Sequence, residues 1–191
     1  MKAALYRLTQ RVLAPGAARR LARLLAADQP PGRSLDVGCG PASWLWRAGI
    51  EPYGVDLCPD FVQAFRRRGP GAVVALATAL PFADGAFDHV WSVGLLHHLS
   101  DADARSSLGE MTRVTRPGGR VVVLDAVAPS HPWRRPIAWL LRRFDHGVHV
   151  RSQQTLTALL DEHRWRTERV TYSYTGLEGL LCRMEVPGAN R

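Results

Sequence analysis

Ser34-Leu-Asp-Val-Gly-Cys-Gly-Pro-Ala-Ser-Trp-Leu45 is the stretch from which the rest of the chain can be read. An apolar strand carries an acid at Asp36, breaks at Gly38-Cys39-Gly40-Pro41 and turns helical. The glycines remove the Cβ atoms that would keep a ligand away from the backbone. Pro41 suits the first turn of a helix, where its missing N–H costs nothing. The N-terminus of such a helix favours a carboxylate or phosphate. About twenty residues on, Gly54-Val-Asp56 closes a second apolar strand with an acid placed to hold ribose hydroxyls. This is the pattern of a nucleotide or nucleoside site.

The dinucleotide fingerprint wants a third glycine three positions after the second, and here that position is Ser43. Asp36 also lies inside the strand, where an acid suits an amine-bearing ligand better than a pyrophosphate. At this point the sequence resembles the class I S-adenosylmethionine-dependent methyltransferases. Asp36, Gly38 and Gly40 match that family's first motif, Asp-x-Gly-x-Gly, and Asp56 matches its ribose-binding acid. Ala79-Leu-Pro-Phe82, Phe87-Asp88, Leu96-His-His-Leu99 and Arg113-Val-Thr-Arg-Pro-Gly-Gly119 are similar to later segments of the family, in the same order. The resemblance covers roughly residues 33–127. It implies an α/β, Rossmann-like sheet of seven mostly parallel strands, with helices on both faces and an antiparallel C-terminal hairpin strand. It also implies S-adenosyl-L-methionine as the cofactor, held by Asp36, Gly38, Cys39, Gly40, Asp56, Leu57, Thr78, Ala79, Leu80, Val93 and His98, with Cys39 a small space-filler in the loop. One departure stands out. The family's acid for the adenine amino group aligns with Leu76, so Thr78 or backbone groups would have to replace it.

The composition is that of a single globular domain spanning 1–191: 46% hydrophobic and 22% charged residues. The formal net charge is +8, and the first 27 residues hold six basic groups and no acid. Such charge attracts anionic partners, although a basic solvated surface explains it equally well. Cys39, Cys58 and Cys182 are odd in number and lack metal spacing, which points to a reducing cytoplasm. No apolar run reaches the roughly 20 residues that span a bilayer. The Arg-rich start lacks the serines of a transit peptide and leads into a helical pattern, so it reads as part of the mature protein.

Taken in order, an N-terminal helical segment fills 1–29, with Leu5, Leu8, Val12, Leu21, Leu24 and Leu25 at helical spacing and a break at Ala14-Pro-Gly16. Its basic amphipathic character permits contact with a membrane surface. Trp44, Leu45 and Ala48 are expected to pack the helix after the first strand onto the sheet. Strands are expected at 52–57, 72–76, 87–93 and 120–125, and helices at 59–68 and from Ser100 to about Thr115. Residues of about 130–150 form an insertion in which Trp133, Ile137, Leu140, Leu141 and Phe144 share one helical stripe, with arginines around it. Placed after the fifth strand, it reads as a lid over an acceptor. A last helix spans Ser152 to His163, and Trp165–Tyr174 and Glu178–Val186 form a hairpin.

Methyl transfer from a sulfonium needs placement, a dry pocket and sometimes a base, but no metal. His149 and His146 are the first candidates for that base, since they could return the insertion to the cleft. Trp133 and Arg151 are candidates for touching the acceptor. The Asn/Asp-Pro-Pro-aromatic segment of base-methylating enzymes is replaced by Gly94-Leu-Leu-His97, which argues against a nucleic-acid partner. The expected function is therefore methylation of a small, largely hydrophobic acceptor: a phenolic, quinone or polyketide-like compound. An RNA or protein methyltransferase and a non-catalytic cofactor-binding module remain as alternatives.

Overall fold

The computed structural model describes residues 16–27, 31–129, 131, 133, 135–143, 149–160 and 164–188. Seven strands form one sheet: β1 Ser34–Val37, β2 Tyr53–Asp56, β3 Ala72–Val74, β4 Phe87–Val93, β5 Thr115–Ala126, β6 Trp165–Thr171 and β7 Glu178–Glu185. Their order is β3-β2-β1-β4-β5-β7-β6. The first five in that order run parallel, β7 runs antiparallel to β5, and β6 runs antiparallel to β7. This is the sheet the sequence implied. β1 pairs with both β2 and β4, so the chain reverses its direction of travel across the sheet there. A crevice opens outside the carboxyl ends of strands at such a switch point, and Asp36, Asp56 and Val93 all stand at or near that edge.

Parallel strands are covered on both faces, and apolar residues of β1, β4 and β5 are accordingly buried on both sides of the sheet. On one face, Leu35, Val37, Val90, Val121 and Val123 pack against Leu108 and Met111 of helix α3 (Asp101–Val114) and against Leu156 of helix α5 (Gln153–Thr157). On the other, Trp91, Val122, Leu124 and Leu181 meet Leu21 and Leu25 of helix α1 (Ala17–Ala26). Val62 and Phe65 of helix α2 (Pro59–Arg66) form a smaller cluster with Cys39 and Ala72. Helix α3 starts where its sequence says it should: Ser100 Oγ accepts the Asp103 backbone N–H at 3.2 Å, and Asp101 and Asp103 occupy the positive first turn. No helix among the described residues is long and apolar enough to cross a membrane.

Three expectations need correction. The helix after the glycine turn is only a 3-10 turn, Leu45–Ala48. Gly49, at φ +80°, ends it, and the N–H groups of Gly49 and Ile50 fold back on the carbonyls of Trp46 and Leu45. A helix-dipole attraction for anions has no helix to supply it here. Leu45 and Ala48 are nonetheless buried as expected. In the insertion, helix α4 spans Pro136–Arg143; among its described side chains Ala138 is the buried one, while Trp133, Ile137 and Leu140 of the stripe face solvent. Spacing identified the face without telling which way it points. The last helix is described only as Gln153–Thr157, capped by Ser152 as expected, with Ala158–Leu160 continuing as a turn. Expectations resting on residues 1–15, Phe144, His146 and 161–163 lie outside the described residues.

Candidate active site

Asp36 is central to the site. It lies in β1 at 3% exposure, directly beside Trp91 of β4 in the register. Its Oδ2 accepts the Ser43 hydroxyl at 2.6 Å, and its Oδ1 is buried with no partner. Burial pushes the carboxyl up to about 7; the Ser43 hydroxyl pulls it down and the charge of Asp56 adds to the rise. An orphaned buried carboxylate oxygen costs free energy until a donor reaches it. A ligand ammonium is the donor that would both neutralise the charge and fill the missing bond.

The turn that follows is braced from β2. The N–H groups of Gly38 and Cys39 both donate to the carbonyl of Val55, at 2.8 and 3.0 Å. Gly38 (φ +75°) and Gly40 (φ +60°) occupy the left-handed region that favours glycine. A Cβ on Gly38 would press on Leu95, whereas one on Gly40 would meet nothing within 4 Å. Gly40 therefore opens onto space that a ligand could use. Cys39 turns away from it: its sulfur is buried over Gly54, and burial holds the thiol far above its ordinary range. It fills space, as the resemblance implied, and is in no state to react.

Asp56 ties this turn to the second strand. Its Oδ2 accepts the Gly40 N–H and its Oδ1 the Cys58 N–H, both at 2.9 Å. Each oxygen retains a second lone pair, so the carboxylate can still accept sugar hydroxyls. Beyond it, Leu57 is 64% exposed and Leu76 is 53% exposed, at the tips of the neighbouring strands β2 and β3. Two exposed leucines at that edge offer an apolar seat for a flat base in place of the missing acid. Thr78 is half-buried nearby and Ala79 is exposed, with the Ala79 N–H donated to Leu76 O at 3.1 Å. Leu80 must be removed as a polar contact. Its N–H donates to Glu110 at 2.7 Å, its carbonyl accepts Arg113 at 3.0 Å, and its side chain is core.

The far side of the crevice is built where β4 and β5 end. Val93 closes β4 half-buried, and Gly94 turns the chain into a 3-10 turn, Leu96–His98. His97 is buried there, and its Nδ1 lies 2.7 Å from Oδ1 of Asp125, near the end of β5. Asp125 also accepts the Leu96 N–H on Oδ2 and the Ala126 N–H on Oδ1. A carboxylate already facing two backbone donors acts as acceptor, so Nδ1 of His97 donates to it. His98 stacks on His97 with ring centroids 4.1 Å apart and is itself exposed.

Arg151 does not wait for an acceptor. It is 6% exposed, and its five N–H donors go to Asp101 Oδ1 twice, Leu96 O, Leu99 O and His149 O. It clamps the turn that carries His97. The His149 backbone N–H donates to His97 O at 2.9 Å, while the residue as a whole is exposed. Trp133 is 75% exposed and meets His131 edge-on at 5.3 Å. Sequence reasoning missed Ser43 and Asp125. Ser43 was visible as the residue in place of the third glycine, and Asp125 as an acid ending an otherwise apolar strand on the ligand edge.

A family model described as a methyltransferase domain matches residues 35–123. A demethylmenaquinone methyltransferase of Renibacterium salmoninarum is 38% identical over 162 residues, covering 80% of this chain and 68% of that protein. Probable tRNA methyltransferase 9B of Mus musculus is 36% identical over 104 residues, covering 53% of this chain but only 23% of that protein. The chain thus spans about a quarter of the length of that relative. The crystal structure of a SAM-dependent methyltransferase from Thermotoga maritima superposes with a TM-score of 0.75 at 17% identity, covering 95% of both chains. At that identity the superposition speaks for the fold.

Proposed function

This chain belongs to the class I S-adenosylmethionine-dependent methyltransferases, and from that membership we propose that it methylates a small, largely hydrophobic acceptor of phenolic, quinone or polyketide-like character. The observation that carries the acceptor side is the buried His97–Asp125 pair beside the cofactor crevice. A pair of that kind serves an acceptor whose O–H or activated C–H must lose its proton.

The residues present fit the cofactor. Asp36 would take its ammonium on the orphaned Oδ1, Asp56 its ribose hydroxyls, and Leu57 and Leu76 its adenine. When bound, S-adenosylmethionine supplies an electrophilic methyl carbon and departs as a neutral thioether. The protein's own part is placement and proton handling. Asp125 holds the imidazole with Nδ1 protonated. Nε2 of His97 would be the atom that takes up the acceptor's proton. Arg151 fixes the turn so that this nitrogen does not swing away.

A quinone-methylating relative that aligns over most of the chain supports the small-molecule reading. The net charge of +8 and a tRNA methyltransferase relative favour RNA as the second reading. Transfer of labelled methyl from S-adenosylmethionine to a panel of phenols and quinones, run beside bulk tRNA, tests it. Labelling of small acceptors supports the proposal. Labelling of tRNA alone overturns it in favour of the second reading. Cofactor binding without transfer to any substrate reduces the protein to a binding module.

A further inference from the structure

We propose that helix α4 and the residues leading into it form a contact face for an anionic lipid surface. The observation is an inverted helix. Ala138 is completely buried, while Ile137 is 60%, Leu140 49% and Trp139 43% exposed, and Trp133 just before the helix is 75% exposed. A helix that merely covered a sheet would bury its large apolar side chains and show its alanine to water. Among the described side chains, the small one makes the packing contact and Ile137, Trp139 and Leu140 point outward.

The face continues onto the hairpin between β6 and β7. Arg135 donates to Gly176 O at 3.0 Å and to Thr171 Oγ1 at 3.3 Å, and lies 3.6 Å from the buried Glu178. These bonds set the start of α4 against the hairpin tip, where Tyr174 is 71% exposed. Both elements follow the strand edge that carries Asp125, since Ala126 pairs with Gly179 and Thr171 with Glu178. The apolar face therefore stands on the same edge of the sheet as the crevice.

Charge decides what covers it. His131-Pro-Trp-Arg-Arg-Pro-Ile-Ala-Trp-Leu-Leu-Arg-Arg143 contains four arginines and no acid, in a chain whose net charge is +8. A second copy would bring the same cationic segment against itself, and like charges repel. Anionic headgroups suit a segment of that charge, and the acyl boundary beneath them takes tryptophan, isoleucine and leucine. The membrane contact does not depend on which acceptor is methylated.

The test is co-sedimentation of the full chain with phosphatidylcholine vesicles with and without phosphatidylglycerol, at low and high salt. Binding is expected only with the anionic lipid, weakening as salt rises. Ile137→Ser combined with Leu140→Ser alters exposed positions and should weaken binding by about tenfold or more at an unchanged thermal midpoint. Trp133→Ser, outside the helix, reports on the same face should the double variant lose its fold. Failure of the native chain to bind anionic vesicles overturns the proposal, as does undiminished binding by the variants. Lipid-free self-association abolished by the same substitutions would assign the face to a second copy and overturn it too.

Discussion

His97 and Asp125 are 28 residues apart in sequence, yet Nδ1 of one sits 2.7 Å from Oδ1 of the other across the ends of adjacent parallel strands. The pairing of β4 with β5 brings them together, and no local feature of either segment does. With Asp125 accepting, Nδ1 is the protonated nitrogen, which is the arrangement the proposed base role requires. His97→Ala should lower kcat by about 10²–10⁴ while leaving cofactor affinity within about threefold. Asp125 is a positioning residue. Asp125→Asn should lower kcat through the wrong tautomer, with the cofactor Kd again little changed. Steady-state kinetics with labelled cofactor, alongside calorimetric titration, separates the two effects.

If Asp36 takes the cofactor's ammonium as proposed, cofactor binding should depend on pH. Its carboxyl is raised by burial from 3.8 to about 7, so the unliganded protein holds it partly protonated near neutrality. A bound ammonium favours the carboxylate. Cofactor affinity should therefore rise as pH goes from about 6 to about 8, with net proton release on binding near pH 7. Calorimetry in buffers of different ionisation enthalpy reads that proton directly. Asp36→Asn should weaken cofactor binding by about tenfold or more and flatten the pH dependence.

The same shift governs stability without cofactor, and its sign is opposite. A group whose folded value lies above its unfolded one stabilises the fold fully at low pH and loses that contribution as pH rises through the folded value. For Asp36 the loss runs from about pH 4 to pH 7 and is on the order of 4 kcal/mol. Asp36→Asn removes this buried charge. Its thermal midpoint should match the parent in acid and exceed it above pH 7. A variant that bound cofactor poorly and also lost stability at pH 8 would contradict the burial assigned to this carboxylate.

Much of this site could be read from sequence because its parts are local. Asp36, Gly38 and Gly40 lie within five residues, and Gly54-Val-Asp56 declares its own strand end. β4 runs over 87–93 as expected, because an aromatic and β-branched run bounded by Asp84-Gly85 and Gly94 leaves little freedom. The parts not read depend on long-range placement. Helical spacing located the apolar face of the insertion, but whether Ile137 or Ala138 turns inward depends on the space left between α1 and the hairpin. Sequence alone offers Arg151 as a contact for the acceptor, because its partners lie far off in the chain. Only the folded chain shows its donors consumed by Asp101 and three carbonyls. The helix after the first turn was overread: Gly49 and Pro52 were there to end it.

Gly54 tests how tightly the cofactor turn is packed against its neighbour. A Cβ there would lie 2.7 Å from the Cys39 sulfur and 3.0 Å from the Phe65 ring. Gly54→Ala should destabilise the protein by about 1–3 kcal/mol through overpacking. Adding Cys39→Ala removes the nearer clash and should restore part of the loss, which a double-mutant cycle in denaturant would measure. Full restoration would mean Phe65 yields more readily than its complete burial implies.

The ion pair between Arg151 and Asp101, at 2.7 Å, joins two very unequal partners, since the arginine side chain is 5% exposed and the aspartate 64%. Their losses should differ accordingly. Asp101→Asn keeps an acceptor at the surface and should cost no more than about 1 kcal/mol. Arg151→Ala strips donors from the carbonyls of Leu96, Leu99 and His149 in the interior and should cost about 3–5 kcal/mol. Arg151→Lys keeps the charge but lacks the planar fork that reaches several acceptors at once, so it should recover less than half of that loss. Because the clamp holds the turn bearing His97, the lysine variant should also lower kcat more than it raises the acceptor KM. Equal stability losses at Arg151 and Asp101 would reduce the contact to an ordinary surface pair and leave the His97 turn without its restraint.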